Sequence, residues 1–345
     1  MLNRRNFITT TAALGALALA GCSSDTTDDS STDETEEEST DDTEESDDSS
    51  TEDATATTYK IGVLQLVQHS ALDLSNDGFI RALDEYGLSY EVDQQNAAND
   101  TATCTTIANT FVGNEVDLIY CIATGAAQAA AAVTTEIPIV GCAITDYAGS
   151  DLVEDNDAPG GNVTGASDLT PVAEQISLLH TLLPDAQTVA LLYCSAESNS
   201  EIQIEMAEEA CEELGLTSVR YSVASSNEIQ SVCESMAGAV DAVYAPTDNT
   251  IAAATAQVGS ICLELGLPYI AGEESMFEDG NALATYTIDY EALGYIAGNM
   301  AIRILVDGED PAEMPIEYTS EDDLTLLTNE EVAEQLGVDL TLLDA

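Results

Sequence analysis

The chain has 345 residues, with 65 Asp and Glu against 6 Lys and Arg, a formal net charge of -59 at pH 7. With no cationic footprint to displace counterions from a phosphate backbone, nucleic acid is excluded as a partner. The hydrophobic fraction of 45% and the length support two globular domains of ordinary size.

Residues 1–22 read as an export signal. Arg4 and Arg5 precede Phe7, an Ala-rich apolar stretch runs from Ala12 to Ala20, and Leu19-Ala20-Gly21-Cys22 closes the segment. That is the charged, apolar, small-residue order of a secretory peptide, and the apolar stretch is too short to span a bilayer. Leu-Ala-Gly-Cys is also a lipobox, in which Cys22 becomes the lipidated N-terminus and anchors the protein to the outer face of the cell membrane. Asn3-Arg4-Arg5-Asn6-Phe7-Ile8 resembles a twin-arginine signal, which implies export after folding, with the general secretory route as the alternative. Residues 23–58 are almost entirely Ser, Thr, Asp and Glu. Such a segment cannot bury enough apolar surface to offset its ordering entropy, so an extended, disordered tether is expected.

The body, residues 59–345, stays acidic. Removing the 16 acids between Asp25 and Asp53 leaves 49 against Lys60, Arg81, Arg220 and Arg303, a net charge near -45. A self-repelling surface of this kind is relieved at high ionic strength, which points to salty surroundings. Seven cysteines follow Cys22, an odd number without C-x-x-C spacing, so buried apolar roles are expected rather than a metal cluster or catalytic thiol.

Short Val, Ile and Leu-rich runs (61–67, 117–122, 138–143, 188–193, 240–245, 267–271) alternate with helical patterns (71–86, 100–113, 125–134, 170–183, 199–214, 226–236, 249–265). This is the pattern of βαβ units with buried parallel strands. The pattern also repeats: Val116-Asp117-Leu118-Ile119-Tyr120 through Ile137-Pro138-Ile139-Val140 is echoed by Val240-Asp241-Ala242-Val243-Tyr244 through Leu267-Pro268-Tyr269-Ile270. Two doubly wound, Rossmann-like α/β lobes are expected, with a cleft between them. Residues 59–168 plus about 282–305 form the first lobe in this reading, with Ala282 to Ile288 crossing back. Residues 169–281 plus about 306–345 form the second.

Ligands bind beyond the carboxyl ends of such strands, which directs attention to a few loops. Gln65 and His69 follow the first strand. Thr124-Gly125 and Thr247-Asp248-Asn249 occupy equivalent places in the repeats, where they cap helices and where free N–H groups favour a carboxylate. Asp146, Asp248 and Glu273 also fall at strand ends with no basic residue in any of these loops, an arrangement that fits a ligand ammonium. Asn199 lies in another of them. A zwitterion satisfies both sets, with Asp248 as ammonium partner and Thr124 near the carboxylate; Asp146 and Glu273 are the alternatives to Asp248. Tyr147, Tyr193, Tyr244 and Phe277 lie near enough to offer an aromatic face, although core packing fits Tyr193 and Tyr244 better. His180 reads as surface or packing. No G-x-S-x-G, G-x-x-x-x-G-K-[ST], G-x-G-x-x-G or metal-ligand spacing occurs, so no catalysis, cofactor or metal is expected.

Ile61-Gly62-Val63-Leu64-Gln65 with His69, Gln94-Gln95-Asn96-Ala97, Ile122-Ala123-Thr124 with Ala126-Ala127-Gln128-Ala129, Gly160-Gly161-Asn162-Val163-Thr164-Gly165, Pro246-Thr247-Asp248-Asn249 and Ala284-Thr285-Tyr286 with Ile288-Asp289-Tyr290 together resemble the ABC transporter substrate-binding lipoproteins that include tryptophan and tyrosine binders. The resemblance spans nearly all of residues 59–340. It implies a type I periplasmic-binding-protein fold that closes on a small ligand, here an amino acid and an aromatic one, and a monomer that delivers it to a permease and its ATPase. Gly125 stands where Pro is common in the family, and Gln68-His69-Ser70 where Glu-His-Pro is. The alternatives are a receptor subunit coupled to a membrane signalling protein, and a binder of a sugar or nucleoside.

Overall fold

The computed structural model describes residues 57–320 and 324–344; the export signal, Cys22 and most of the tether lie outside them. The first half runs β1 (Tyr59–Gln65), α1 (Ser70–Tyr86), β2 (Tyr90–Asn96), α2 (Thr101–Gly113), β3 (Leu118–Ile122), α3 (Thr124–Ala131), β4 (Ile139–Ile144) and β5 (Val163–Ser167). The second half continues with α4 (Val172–Leu182), β6 (Thr188–Cys194), α5 (Ser198–Leu214), β7 (Thr217–Val223), α6 (Ile229–Glu234) and β8 (Ala242–Ala245). It then runs α7 (Asn249–Ala252), α8 (Thr255–Leu265), β9 (Tyr269–Ala271), α9 (Glu274–Gly280) and β10 (Ala284–Thr287). Last come α10 (Tyr290–Ile302), β11 (Glu317–Tyr318), β12 (Thr325–Thr328) and α11 (Glu330–Leu336).

Two six-stranded sheets result, ordered β11-β5-β4-β3-β1-β2 and β12-β10-β9-β8-β6-β7. Within each, the central strands pair in parallel, and β12 joins β10 antiparallel. The central strands are the apolar runs of the sequence: every residue of β3, β4, β5, β8 and β9 is buried. The edge strands β2 and β7, YEVDQQN and TSVRYSV, are half-exposed and carry too few apolar residues to announce themselves. One core cluster fills the first lobe, and two flank the second sheet. All seven described cysteines are buried and unpaired, and burial raises their thiols, Cys104 and Cys211 to about 11 and Cys142 and Cys262 to about 12.

The chain crosses between lobes at residues 168–171, again at 288–289, and a third time after β11. The sequence reading places Ala282 to Ile288 in the first lobe, but β10 pairs with β9 and β12 in the second sheet. It is the counterpart of β5, each being the fifth strand of its lobe. Likewise β11 belongs to the first sheet through β5, so residues up to 318 stay with the first lobe. The cause is a long-range contact: α10 docks on α1, and that docking draws the segment after it back to the first lobe. The docking is a backbone approach. A Cβ on Gly78 would stand 1.9 Å from the Glu291 carbonyl oxygen, and one on Gly294 2.0 Å from that of Ser75. The helical pattern over 249–265 is likewise two helices, α7 and α8, broken at Ala253 and Ala254.

Candidate functional site

The carboxyl ends of both sheets converge on a narrow chamber between the lobes. Its walls are His69, Leu72, Ala143, Thr145, Asp168 and Tyr290 from the first lobe and its crossings, and Asn199, Thr247, Asp248, Asn249, Ala252 and Glu273 from the second. The lobes are shut over it. His69 Nε2 lies 3.4 Å from Asn249 Oδ1, Asn99 Nδ2 donates to Thr250 Oγ1 at 2.9 Å, and Gln128 Nε2 donates to Ser198 Oγ at 3.3 Å. Ser70 Oγ donates to Asp279 at 3.2 Å on the rim.

The chamber brings together His69, Asn199, Thr247, Asp248, Asn249 and Glu273 of the residues that the sequence singles out. Four others fall outside its walls. Gln65 is turned back into its own lobe, donating to the Val67 carbonyl and to Asp73 at 2.9 and 2.8 Å. Thr124 is buried at the start of α3, behind Ala123, which adopts φ 83°. Gly125 faces a separate interlobe groove beside Gln128 and Glu197. Asp146 closes a turn, accepting from Gly149 N and Asn156 Nδ2 at 3.1 and 3.0 Å. A strand-end position therefore does not by itself carry a side chain into the chamber. Among the aromatics, Tyr193 and Tyr244 pack in the core as the sequence reading favours, and Tyr147 and Phe277 do so in place of the expected aromatic face. Tyr147 and Tyr244 are core residues bonded to the Ala166 carbonyl and to Gln175, Tyr193 sits in the second lobe's core with Arg220 over its ring, and Phe277 packs against the core. Tyr290 supplies the aromatic wall instead.

Three carboxylates face the chamber, and no Lys or Arg does. Arg81, Arg220 and Arg303 are held by surface glutamates. The three acids differ in what already occupies them. Asp248 caps α7 through Ile251 N at 2.8 Å and accepts from Cys194 N at 2.6 Å and Ser200 Oγ at 2.7 Å. Glu273 caps α9, taking Ser275 N, Ser275 Oγ and Met276 N at 2.6, 2.6 and 3.0 Å. Asp168 is held by two hydroxyls only, Thr145 Oγ1 at 3.3 Å and Tyr290 OH at 3.2 Å. These bonds are long, and the groups rotate, so Asp168 keeps the most unspent acceptor capacity. Burial pushes all three above the usual carboxylate range, Asp248 to about 7 with Glu197 adding to the effect, and Asp168 and Glu273 to about 6. Burial also lowers His69, whose Nδ1 is buried without a partner.

Thr145, Asp168 and Tyr290 are the polar wall residues absent from the sequence-derived set, as are the apolar Leu72, Ala143 and Ala252. Asp168 directly follows β5, a five-residue strand, VTGAS, whose Thr, Gly and Ser break the apolar signal. Aligning β10 with β5 is the signal that marks that strand end as part of the cleft.

Residues 60–342 match the family described as ABC transporter substrate binding protein. A tyrosine-binding protein of Clostridioides difficile is 37% identical over 282 residues, 81% of either chain. A crystal structure from Streptococcus pneumoniae, an ABC domain in complex with L-Trp, is 37% identical, covers 84% of this chain and 98% of its own, and superposes with a TM-score of 0.80. The ligand-free, open structure of a Clostridium difficile substrate-binding protein is 38% identical, covers 81% and 95%, and reaches 0.63. At nearly equal identity, the superposition is better with the L-Trp complex than with the ligand-free, open structure.

Proposed function

Because the chain belongs to the ABC transporter substrate-binding protein family, whose members are extracytoplasmic binding proteins rather than enzymes, we propose that it captures a single aromatic amino acid and delivers it to the permease and ATPase of an importer. The observation that carries this reading is Asp168, a buried carboxylate held by two hydroxyls in a chamber with no Lys or Arg, whose one histidine, His69, is held towards its neutral form by burial. An uncompensated buried carboxylate calls for a cation, and a ligand ammonium supplies one. Glu273 and Asp248 add negative potential but spend their oxygens on helix caps. Tyr290 offers the aromatic contact, and the tyrosine and tryptophan of the relatives agree with it. The ligand carboxylate meets neutral donors: Thr247 Oγ1 accepts from Gln203 at 2.6 Å and retains its own hydrogen to donate. The body acts as a monomer, held to the outer membrane face by lipidated Cys22 and the acidic tether.

Calorimetric titration of the body in molar salt with L-tryptophan, L-tyrosine, L-phenylalanine, a hexose and a nucleoside tests the assignment. Binding of an aromatic amino acid is expected, weakened well over tenfold in Asp168→Asn because a charged partner is lost from a desolvated site. Binding of the hexose or nucleoside alone overturns the ligand class.

A further inference from the structure

Gln203, fully buried on α5, holds an unusual position. Its single NH2 group reaches hydroxyls on both lobes: Thr247 Oγ1 of the second at 2.6 Å and Thr145 Oγ1 of the first at 3.3 Å. Those two oxygens are themselves 3.5 Å apart across the cleft. The same nitrogen has the Asn199 carbonyl at 3.2 Å and the Thr247 carbonyl at 3.3 Å, and Gln203 Oε1 accepts from Thr247 N at 3.3 Å. All of these partners but one belong to Gln203's own lobe. The exception is Thr145, so the bond to Thr145 is the one that opening the cleft must break.

A threonine hydroxyl has one hydrogen. With Gln203 donating to its oxygen, Thr145 directs that hydrogen to Asp168 Oδ1. We propose that Gln203 is a positioning residue which, by fixing the Thr145 hydroxyl only in the shut cleft, makes the ammonium-binding geometry of Asp168 conditional on closure. The proposal rests on the amino-acid reading above. It gives the molecule a reason to hold its ligand tightly when shut and to release it when prised open: a conformation-dependent hydrogen bond tunes the charged acceptor. The groups facing Asp168 are Tyr290 from α10, Cys142 from β4 and Tyr147 after it, and Glu273 before α9, with Asp248 and His69 on the chamber walls. None of these contributes a cross-lobe hydroxyl bond to it.

The test uses Gln203→Met, Thr145→Val, Thr145→Ser and the double Gln203→Met/Thr145→Val variant, titrated with L-tryptophan and L-tyrosine between pH 5 and 8. Ligand-free melting confirms that each is folded. Gln203→Met and Thr145→Val should each weaken affinity about tenfold and move the pH midpoint of binding upward, because the charged form of Asp168 loses a donor. Thr145→Ser should behave as wild type, and the double variant should be no weaker than the worse single one. Multiplying losses in the double variant, or weaker affinity with an unmoved midpoint, overturns the proposal and leaves Gln203 a packing residue. Should Gln203→Met not fold, the Thr145 pair on the other lobe decides by the same criteria. Should wild type bind neither amino acid, the functional reading falls by itself. The coupling is then read without ligand, as the part of the pH dependence of melting that Asp168→Asn removes: Gln203→Met must shift its midpoint upward, and an unchanged midpoint rejects the proposal.

Discussion

Asp248 and Asp168 look alike in the sequence as acids beyond strands, and what separates them is the use of their lone pairs. Asp248 satisfies two backbone donors and Ser200 inside its own lobe, so its removal orphans buried N–H groups at roughly 1–3 kcal/mol each besides deleting a cap of about 1 kcal/mol. Asp248→Ala should therefore lower the ligand-free melting temperature markedly while changing affinity little. Asp168→Asn should do the reverse, leaving neutral-pH stability equal or higher and cutting affinity well over tenfold. Melting curves and titrations on the two variants check this crossed pattern, and a large affinity loss confined to Asp248→Ala restores Asp248 as the ammonium partner. The sequence shows an acid at a strand end; it does not show whether neighbouring backbone donors have already claimed it, because that depends on the turn geometry of Cys194 and Ile251. Glu273 follows the same rule, its oxygens drawn onto Ser275 and Met276.

Among the elements, the legible ones are those with both faces buried. β3, β4, β8 and β9 appear as continuous apolar runs, whereas β2 and β7 are paired on one side only and present Asp, Gln, Arg and Ser to solvent. β5 is buried throughout yet hidden by its own Gly165 and polar residues, and overlooking it conceals both Asp168 and the equivalence with β10. The lobe assignment of α10 follows from contacts between distant segments that no local periodicity reveals. Gly78 and Gly294 bring α1 and α10 to backbone contact, and α10 begins at Tyr290 in the chamber wall. Gly294→Ala must push these helices apart, an overpacking cost of about 1–3 kcal/mol or more. A lowered melting temperature together with weaker ligand binding is expected, since Tyr290 moves with its helix. A variant with wild-type melting would show that the helices are not held at this distance.

For the molecule as a whole, acidity acts at two depths, and pH and salt separate them. The surface excess, near -45 on the body, is repulsion between exposed charges, which screening weakens as the Debye length falls from about 10 Å at 0.1 M to about 3 Å at 1 M. Stability should rise steeply with salt for this reason, and the dependence should flatten once screening is complete. The three chamber acids are out of reach of that screening. Their folded-state values, about 7 for Asp248 and about 6 for Asp168 and Glu273, lie above the unfolded values near 4. Through these three acids the folded state binds more protons than the unfolded one between roughly pH 4 and pH 7, so their contribution to ligand-free stability falls as pH rises through that window, outweighing the single opposing contribution of His69, which burial lowers. A ligand ammonium favours the charged carboxylate, so binding expels protons and affinity must climb as pH rises through about 6, opposite to the trend in ligand-free stability. Melting in molar salt from pH 5 to 8, with and without L-tryptophan, measures both slopes on one sample. Ligand-free melting that rises with pH, or stabilisation by ligand that fades towards pH 8, would contradict a chamber built from uncompensated acids.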